Sequence, residues 1–90
     1  MLNTIEELIN LIRDRKKSSN EDSYTKKLLD DKKLSVAKVK EEIGELIEAV
    51  ENKSNTVHEA ADVLYHLAVY LEANNILIED VMAELEKRKK

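Results

Sequence analysis

The 90-residue chain contains a single glycine, Gly44, and no proline. The tight turns of β-hairpins and the corners of β-sandwiches depend on residues that accept a positive φ or fix φ, and glycine and proline are the main ones. The sequence therefore argues against an all-β fold. Charged residues make up 38% of the chain, and its three aromatic residues are all tyrosines. We predict an all-α protein, a bundle of about four to five helices.

Chain length and apolar content predict one domain over residues 1–90. Leu, Ile and Val occupy 26 of the 90 positions, which is above the roughly 20% below which a highly charged chain is expected to be disordered. Ninety residues can form one hydrophobic core but not two. The absence of cysteine excludes disulfides, thiolate nucleophiles and zinc sites built on cysteine.

The net charge of −4 argues against nonspecific binding to nucleic acid. It also means that a polyanionic ligand would need a cation between itself and the protein. No apolar run approaches the roughly 18 residues of a membrane span, and the first ten residues carry acids where a signal peptide carries bases. We therefore expect a cytoplasmic protein that contacts neither membrane nor nucleic acid.

Apolar periodicity and helix-capping residues divide the chain into five predicted helices. Thr4 with Glu7 has capping-box spacing, Ser35 is the predicted N-cap of the third helix, and the pair Asn74-Asn75 is predicted to supply a left-handed helix terminator. Either Asp22 or Ser23 is expected to cap the second helix. The predicted helices span about residues 4–17, 23–29, 35–53, 56–75 and 78–87, and residues 30–33 form a charged connector.

The predicted helix over residues 57–71 is apolar on nearly every side. Val57, Leu64 and Leu71 share one face, while Val63 and Val69 cover much of the remainder. A helix that is apolar all round is buried on most sides. Because 90 residues cannot easily bury such a helix within one chain, we predict a homodimer in which it faces helices of the partner.

A narrow polar stripe interrupts this apolar helix. Glu59, Asp62 and His66 lie within about 60° of one another at 100° per residue. Ionised carboxylates are costly to bury unless they are paired or bound to a metal. A buried helix that carries such a stripe therefore indicates a cation.

The preceding predicted helix contributes a second acidic group, Glu41, Glu42 and Glu45, with the i, i+3 and i, i+4 spacings that bring side chains together. The connection between the two helices is short enough for them to pack antiparallel. Four or five carboxylates would then converge. Oxygen ligands favour Mg²⁺ or Mn²⁺ over zinc, and the spacing differs from the Glu-x-x-His pairs of di-iron bundles.

Spacing alone leaves plainer interpretations open. Glu59 also fits a capping box with Thr56, and the acids of the preceding helix fit an ordinary solvent-exposed face. His66 fits a hydrogen-bonded core histidine better than a metal ligand. Other acids, Glu72 among them, are expected in solvent.

Several short segments carry a family resemblance. They are Ser23-Tyr24-Thr25, Lys27-Leu28-Leu29, Lys38-Val39, Glu41-Glu42-x-x-Glu45, Glu59-Ala60-Ala61-Asp62, Leu64-Tyr65-His66 and Arg88. The acidic segments resemble the signature of the MazG-like all-α nucleotide pyrophosphohydrolases. The whole set, from about Leu8 to Arg88, resembles the phosphoribosyl-ATP pyrophosphohydrolase family of histidine biosynthesis. The chain departs from that family at Lys40 and Asp22, where glycine is usual.

The resemblance implies a MazG-like bundle, completed by homodimerisation, that hydrolyses phosphoribosyl-ATP to phosphoribosyl-AMP and pyrophosphate with Mg²⁺ or Mn²⁺. The implied metal ligands are Glu42, Glu45, Glu59 and Asp62, and Glu41 is the fifth implied catalytic carboxylate, which completes the site or orients water. The implied substrate contacts are Arg15, Ser23, Tyr24, Lys27 and Lys38. Two alternatives stay open, a housekeeping pyrophosphohydrolase acting on another nucleoside triphosphate and a noncatalytic helical dimerisation module.

Overall fold

The computed structural model describes residues 1–18 and 23–89. Within them the chain forms five helices and no strand. The helices are α1 (Asn3–Lys17), α2 (Tyr24–Asp30), α3 (Lys32–Asn52), α4 (Thr56–Ala73) and α5 (Ile78–Arg88). The predicted all-α fold is confirmed.

The helix starts agree with the prediction only in part. Ser23 caps α2, since its hydroxyl accepts the backbone N–H of Lys26, whereas the alternative cap, Asp22, lies outside the described residues. The capping box predicted at Thr4 is wrong, because α1 begins one residue earlier and its N-cap, Leu2, offers no side-chain acceptor.

The predicted start of α3 is also wrong. Asp31 is the N-cap, and its carboxylate accepts the backbone N–H of Leu34 at 3.0 Å. A carboxylate one turn earlier therefore starts the helix before Ser35, which lies inside α3 and is only 2% exposed. The predicted connector over 30–33 is correspondingly reduced to the junction between α2 and α3.

Left-handed residues end the two long helices. Lys53 follows α3 with φ 55°, and Asn75 follows α4 with φ 59°. After α4, the N–H of Ile76 donates to the carbonyl of Leu71 at 2.9 Å, and the N–H of Asn75 donates to the carbonyl of Glu72 at 3.1 Å. This pair of bonds is the Schellman pattern, and it agrees with the terminator predicted at Asn74-Asn75, with Asn75 as the left-handed residue.

Helix α4 is the centre of the fold, because it contacts each of the other four helices. The core lies where α1 and α2 pack against the C-terminal half of α4. Its buried members are Ile9, Ile12, Leu28, Leu29, Ala68, Val69 and Ala73. Helix α3 pairs with α4 as an antiparallel hairpin, and this hairpin carries the acidic segments.

An ionic network ties α1 to the end of α4 and the start of α5. Glu72, which the sequence places in solvent, is only 4% exposed and accepts from Arg13 Nε at 3.1 Å. Arg13 also holds both carboxylate oxygens of Glu79 and lowers the pKa of Glu79 to about 2. Lys16 donates to the Glu72 carbonyl and to Asn75 Oδ1, at 2.6 and 2.7 Å. The expectation for Glu72 is therefore wrong, because its partner comes from α1.

One face of the α3–α4 hairpin remains apolar and exposed. Val57 is 83% exposed, Val50 57%, Ile47 56% and Leu64 51%. Among the described residues, no helix is long and apolar enough to cross a bilayer.

Candidate functional site

The α3–α4 hairpin gathers the predicted carboxylates within one subunit. One carboxylate oxygen each of Glu42, Glu45 and Glu59 lies within 4.8 Å of the other two. Glu42 and Glu45 are i, i+3 on α3, and Glu59 faces them from the first turn of α4. We call Glu42, Glu45, Glu59 and Asp62 the acidic cluster.

Two oxygens of the acidic cluster are buried without a hydrogen-bond partner in the part of the chain that the structure describes. Glu42 is 7% exposed, and among the described residues neither its Oε2 nor Oε2 of Glu59 has a hydrogen-bond partner. Burial, followed by the proximity of Glu45, raises the pKa of both Glu42 and Glu59. Orphaned buried carboxylate oxygens are costly, and a divalent cation between the two helices would satisfy them. The donor set therefore fits Mg²⁺ or Mn²⁺.

Asp62 is the member of the acidic cluster that lies beside His58. Its charge contributes to the raised pKa of Glu42 and of Glu59, and its Oδ2 lies 3.4 Å from Nε2 of His58. The capping box proposed for Glu59 is not formed, because Asn55 is the N-cap of α4 and Thr56 is already helical. The side chain of Glu59 is thus free to join the acidic cluster.

The ammonium group of Lys38 lies at the edge of the acidic cluster. Lys38 Nζ donates to Glu41 Oε2 at 2.7 Å, which lowers the pKa of Glu41 and raises that of Lys38. Lys38 is also close enough to Tyr24 and Glu42 to interact with their charged forms. Glu41 therefore pairs with a lysine, whereas the four members of the cluster remain available to a metal.

The first turn of α2 reaches the same edge. Tyr24 Oη lies 3.0 Å from Nε2 of His66, and burial raises the pKa of the tyrosine, so its hydroxyl stays protonated. The next pair along the two helices, Thr25 and Tyr65, is joined by a hydroxyl–hydroxyl hydrogen bond. Tyr24, which is predicted to bind substrate, is thus joined through His66 to the backbone of Asp62, which is predicted to bind metal.

Comparison with known proteins identifies the family to which this chain belongs. The sequence profile of phosphoribosyl-ATP pyrophosphohydrolase matches residues 5–89, nearly the whole chain. The chain belongs to the phosphoribosyl-ATP pyrophosphohydrolase family. The resemblance stated from the sequence is confirmed.

Individual relatives agree with this family. The chain is 42% identical over 94 residues to a phosphoribosyl-ATP pyrophosphatase of Clostridium novyi, covering 99% of this chain and 84% of that protein. It is 43% identical over 91 residues to the phosphoribosyl-ATP pyrophosphatase of Sulfolobus acidocaldarius, covering 98% and 96%. It also matches 44% of the length of the histidine biosynthesis bifunctional protein HisIE of Thermotoga maritima, at 42% identity over 92 residues and 93% of this chain.

Not every substrate contact implied by the family resemblance reaches the acidic cluster. Tyr24 and Lys38 lie beside it, whereas Ser23 caps α2. Among the described residues, neither Arg15 nor Lys27 forms a hydrogen bond or ion pair with the cluster through its side chain. Their assignment to substrate phosphates stays a prediction.

In this member of the phosphoribosyl-ATP pyrophosphohydrolase family, the position of His58 beside the acidic cluster was not predicted from the sequence. Its side chain is 72% exposed and lies one helical turn before Asp62. The i, i+4 spacing to Asp62 and the adjacency to Glu59 were the available signals. His66, by contrast, is buried with both ring nitrogens hydrogen-bonded, as expected for a core histidine.

Proposed function

We propose that this chain hydrolyses phosphoribosyl-ATP to phosphoribosyl-AMP and pyrophosphate in histidine biosynthesis, with Mg²⁺ or Mn²⁺ as cofactor. Its family and the names of its relatives support the reaction. The observation that carries the proposal is the convergence of the acidic cluster, in which two buried carboxylate oxygens have no partner among the described residues.

Glu42, Glu45, Glu59 and Asp62 would hold the metal. Without a cation, their charges would repel a polyphosphate, so a substrate of this kind requires the local sign to be reversed. A bound divalent ion supplies polarisation of a phosphoryl oxygen and of the attacking water. The imidazole of His58 points at Asp62 from outside and leaves the buried side of the cluster to oxygen donors.

Lys38 and Glu41 have different proposed roles, phosphate binding for Lys38 and proton transfer for Glu41. Lys38 can exchange its contact with Glu41 for a substrate phosphate, because a lysine ammonium binds phosphate as a mobile point charge. Released from Lys38, Glu41 is a carboxylate one residue before a metal ligand and is suited to accept a proton from water. Ser23 and Tyr24 would position the nucleotide, and Arg15 and Lys27 would approach its phosphates on binding.

We also propose that the enzyme is a homodimer, joined through the exposed apolar face of the α3–α4 hairpin. Val57 and Leu64 lie on the side of α4 opposite Glu59, at 100° per residue. Ile47 and Val50 extend the apolar face onto α3. A contact on this face would leave the acidic cluster open to substrate. A cytoplasmic location and the absence of nucleic-acid and membrane partners stay predictions from charge and composition.

Pyrophosphate release from phosphoribosyl-ATP, measured with Mg²⁺ and with EDTA, tests the reaction. Wild-type protein should release pyrophosphate only with the metal, and Asp62→Asn should lose this activity while its circular dichroism is unchanged. Asp80→Asn, which removes an exposed acid of α5, is the matched control and should remain active.

The same assay separates the alternatives. Preferential turnover of dUTP or dCTP would favour a housekeeping pyrophosphohydrolase. No turnover of any nucleotide, together with no thermal shift on adding Mg²⁺, would favour the noncatalytic dimerisation module. Full activity of Asp62→Asn would discard the metal assignment.

A further inference from the structure

Two adjacent residues of α4, Tyr65 and His66, have no task in the reaction described above. Each bonds to a residue in the first turn of α2. Tyr65 pairs with Thr25, and His66 pairs with Tyr24. The rings of Tyr24, Tyr65 and His66 form one cluster, in which His66 is edge-on to both tyrosines.

The hydrogen bonds of His66 determine its tautomer. Its Nδ1 lies 2.8 Å from the backbone carbonyl oxygen of Asp62. A carbonyl oxygen only accepts, so Nδ1 carries the proton. In the neutral ring, Nε2 then has a lone pair and must accept the hydroxyl proton of Tyr24, which lies 3.0 Å away. Hydrogen donation therefore runs from the Tyr24 hydroxyl to Nε2 of His66, and from Nδ1 of His66 to the backbone carbonyl of Asp62.

This arrangement of protons determines which hydrogen bonds Tyr24 can form with a ligand. A hydroxyl whose proton is committed to His66 can offer only lone pairs to a ligand. Tyr24 is 45% exposed and lies close enough to Lys38, Glu41 and Glu42 to interact with their charges. Its acceptor oxygen is held beside the acidic cluster, because His66 bonds both to this oxygen and to the backbone carbonyl of Asp62.

We propose that His66 is a positioning residue that fixes the Tyr24 hydroxyl as a hydrogen-bond acceptor, so that Tyr24 recognises an O–H donor at the site. That donor is either a sugar hydroxyl of the nucleotide or a water bound to the metal. The identity of the nucleotide rests on the proposed function, whereas the tautomer of His66 does not.

Long-range ¹H–¹⁵N NMR of the two histidines tests the tautomer without any substrate. His66, assigned by comparison with His66→Gln, should show a protonated Nδ1 and an unprotonated Nε2 near neutral pH. Tyr24→Phe should shift the Nε2 signal. A protonated Nε2, or an Nε2 signal unaffected by Tyr24→Phe, would overturn the proposal whatever the enzyme's substrate is.

Kinetics then distinguish positioning from a merely structural contact. Tyr24→Phe and His66→Asn should each raise KM about five- to tenfold with little change in kcat, the effect of losing one hydrogen bond. The double variant should be no worse than either single variant. His66→Gln, whose longer side chain can again accept from Tyr24, should recover most of the loss.

The matched control is Tyr65→Phe, which removes a second side-chain bond between α2 and α4, the one to Thr25. It should leave KM within about twofold. If it raises KM as much as Tyr24→Phe, or if the losses of Tyr24→Phe and His66→Asn are additive, the positioning role is wrong.

Mn²⁺ binding identifies the donor. Weaker Mn²⁺ binding to Tyr24→Phe in the absence of nucleotide indicates a metal-bound water, and unchanged Mn²⁺ binding with a raised KM indicates a sugar hydroxyl. Unchanged values of both would refute the proposal. A wild-type protein that does not turn over phosphoribosyl-ATP would refute the proposed function alone, and the NMR result would then decide the role of His66.

Discussion

Replacing Glu42 by Gln should stabilise the metal-free protein and reduce its response to Mg²⁺. Glu42 is 7% exposed, and its pKa is raised because burial and the neighbouring Glu45 disfavour its charge. Gln keeps the shape of the side chain, removes the charge and offers an amide that can donate to the neighbouring carboxylates. A carboxylate with only a structural role would give the opposite result, since its loss would lower stability.

The magnitude follows from the spacing of the acidic cluster. Two unit charges at 4.8 Å, the upper limit of the oxygen–oxygen distances among Glu42, Glu45 and Glu59, repel by about 3.5 kcal/mol at an effective dielectric constant of 20. Glu45 is exposed to solvent, which screens the repulsion, so we take about 1 kcal/mol as its contribution. Relief of that repulsion should raise the melting temperature by about 4–8 °C for a domain of this size.

Metal binding should reverse the order of stability. At a metal concentration one hundred times Kd, a single bound ion stabilises the folded state by about 2.7 kcal/mol. Wild-type protein should therefore gain more from Mg²⁺ than Glu42→Gln, which has lost a charged ligand.

Thermal unfolding of both proteins in EDTA and across a Mg²⁺ titration measures the two effects, with the exposed Glu51→Gln of the same helix as control. The reasoning is refuted if Glu42→Gln is less stable than wild type in EDTA, or if it keeps the full Mg²⁺ shift.

Four further predictions concern pH, the helices and the subunit interface. Because the folded-state pKa of Glu42 is raised above its ordinary value of 4.5, the metal-free protein should become more stable as pH falls from 7 towards 5, a trend that saturating Mg²⁺ should flatten in thermal unfolding. Gly44→Ala should stabilise α3 by about 0.5–1 kcal/mol in urea unfolding, because a Cβ at this position meets nothing within 4 Å; a loss of stability would show that another molecule packs there. Arg13→Leu should cost about 3 kcal/mol in the same assay, since it leaves buried Glu72 unpaired, and an unchanged midpoint would contradict the role of this ion pair. Light scattering should give twice the chain mass for wild type and a lower mass for Leu64→Glu, while a monomeric wild type at micromolar concentration would contradict the dimer.

The parts of the fold that depend on local sequence were predictable. Helical periodicity placed all five helices, and the i, i+3 spacing of Glu42 with Glu45 and of Glu59 with Asp62 put the acids on facing sides of a hairpin. A terminator at Asn74-Asn75 was predictable because asparagine is one of the few residues other than glycine that adopt a positive φ readily. In each case the physical cause lies within a few residues of its effect.

The features that sequence reasoning missed have distant causes. Glu72 looked like a surface acid because its partner, Arg13, is 59 residues away in the sequence. The hydrogen bond between Tyr24 and His66 joins residues 42 apart. The error at the start of α3 is different, because Asp31 and Ser35 are both good N-caps one turn apart and only packing selects between them. Ser35 faces the interior of the fold, which leaves Asp31 to cap the helix.

The α3–α4 hairpin has two features that are unusual for a surface hairpin, and they lie on opposite sides of it. On one side, two buried carboxylate oxygens have no hydrogen-bond partner within residues 1–18 and 23–89, and on the other, Ile47, Val57 and Leu64 are exposed to solvent. Each of these two features lowers the stability of the isolated chain. Neither feature is needed to form the helices, because α4 already packs on α1 and α2 through its C-terminal half. Places where a sequence breaks local rules without a folding benefit are where function is expected. A divalent ion would offset the first cost and a second subunit the second. Both costs fall on the same two helices, so occupancy of the metal site and subunit association should stabilise the same element.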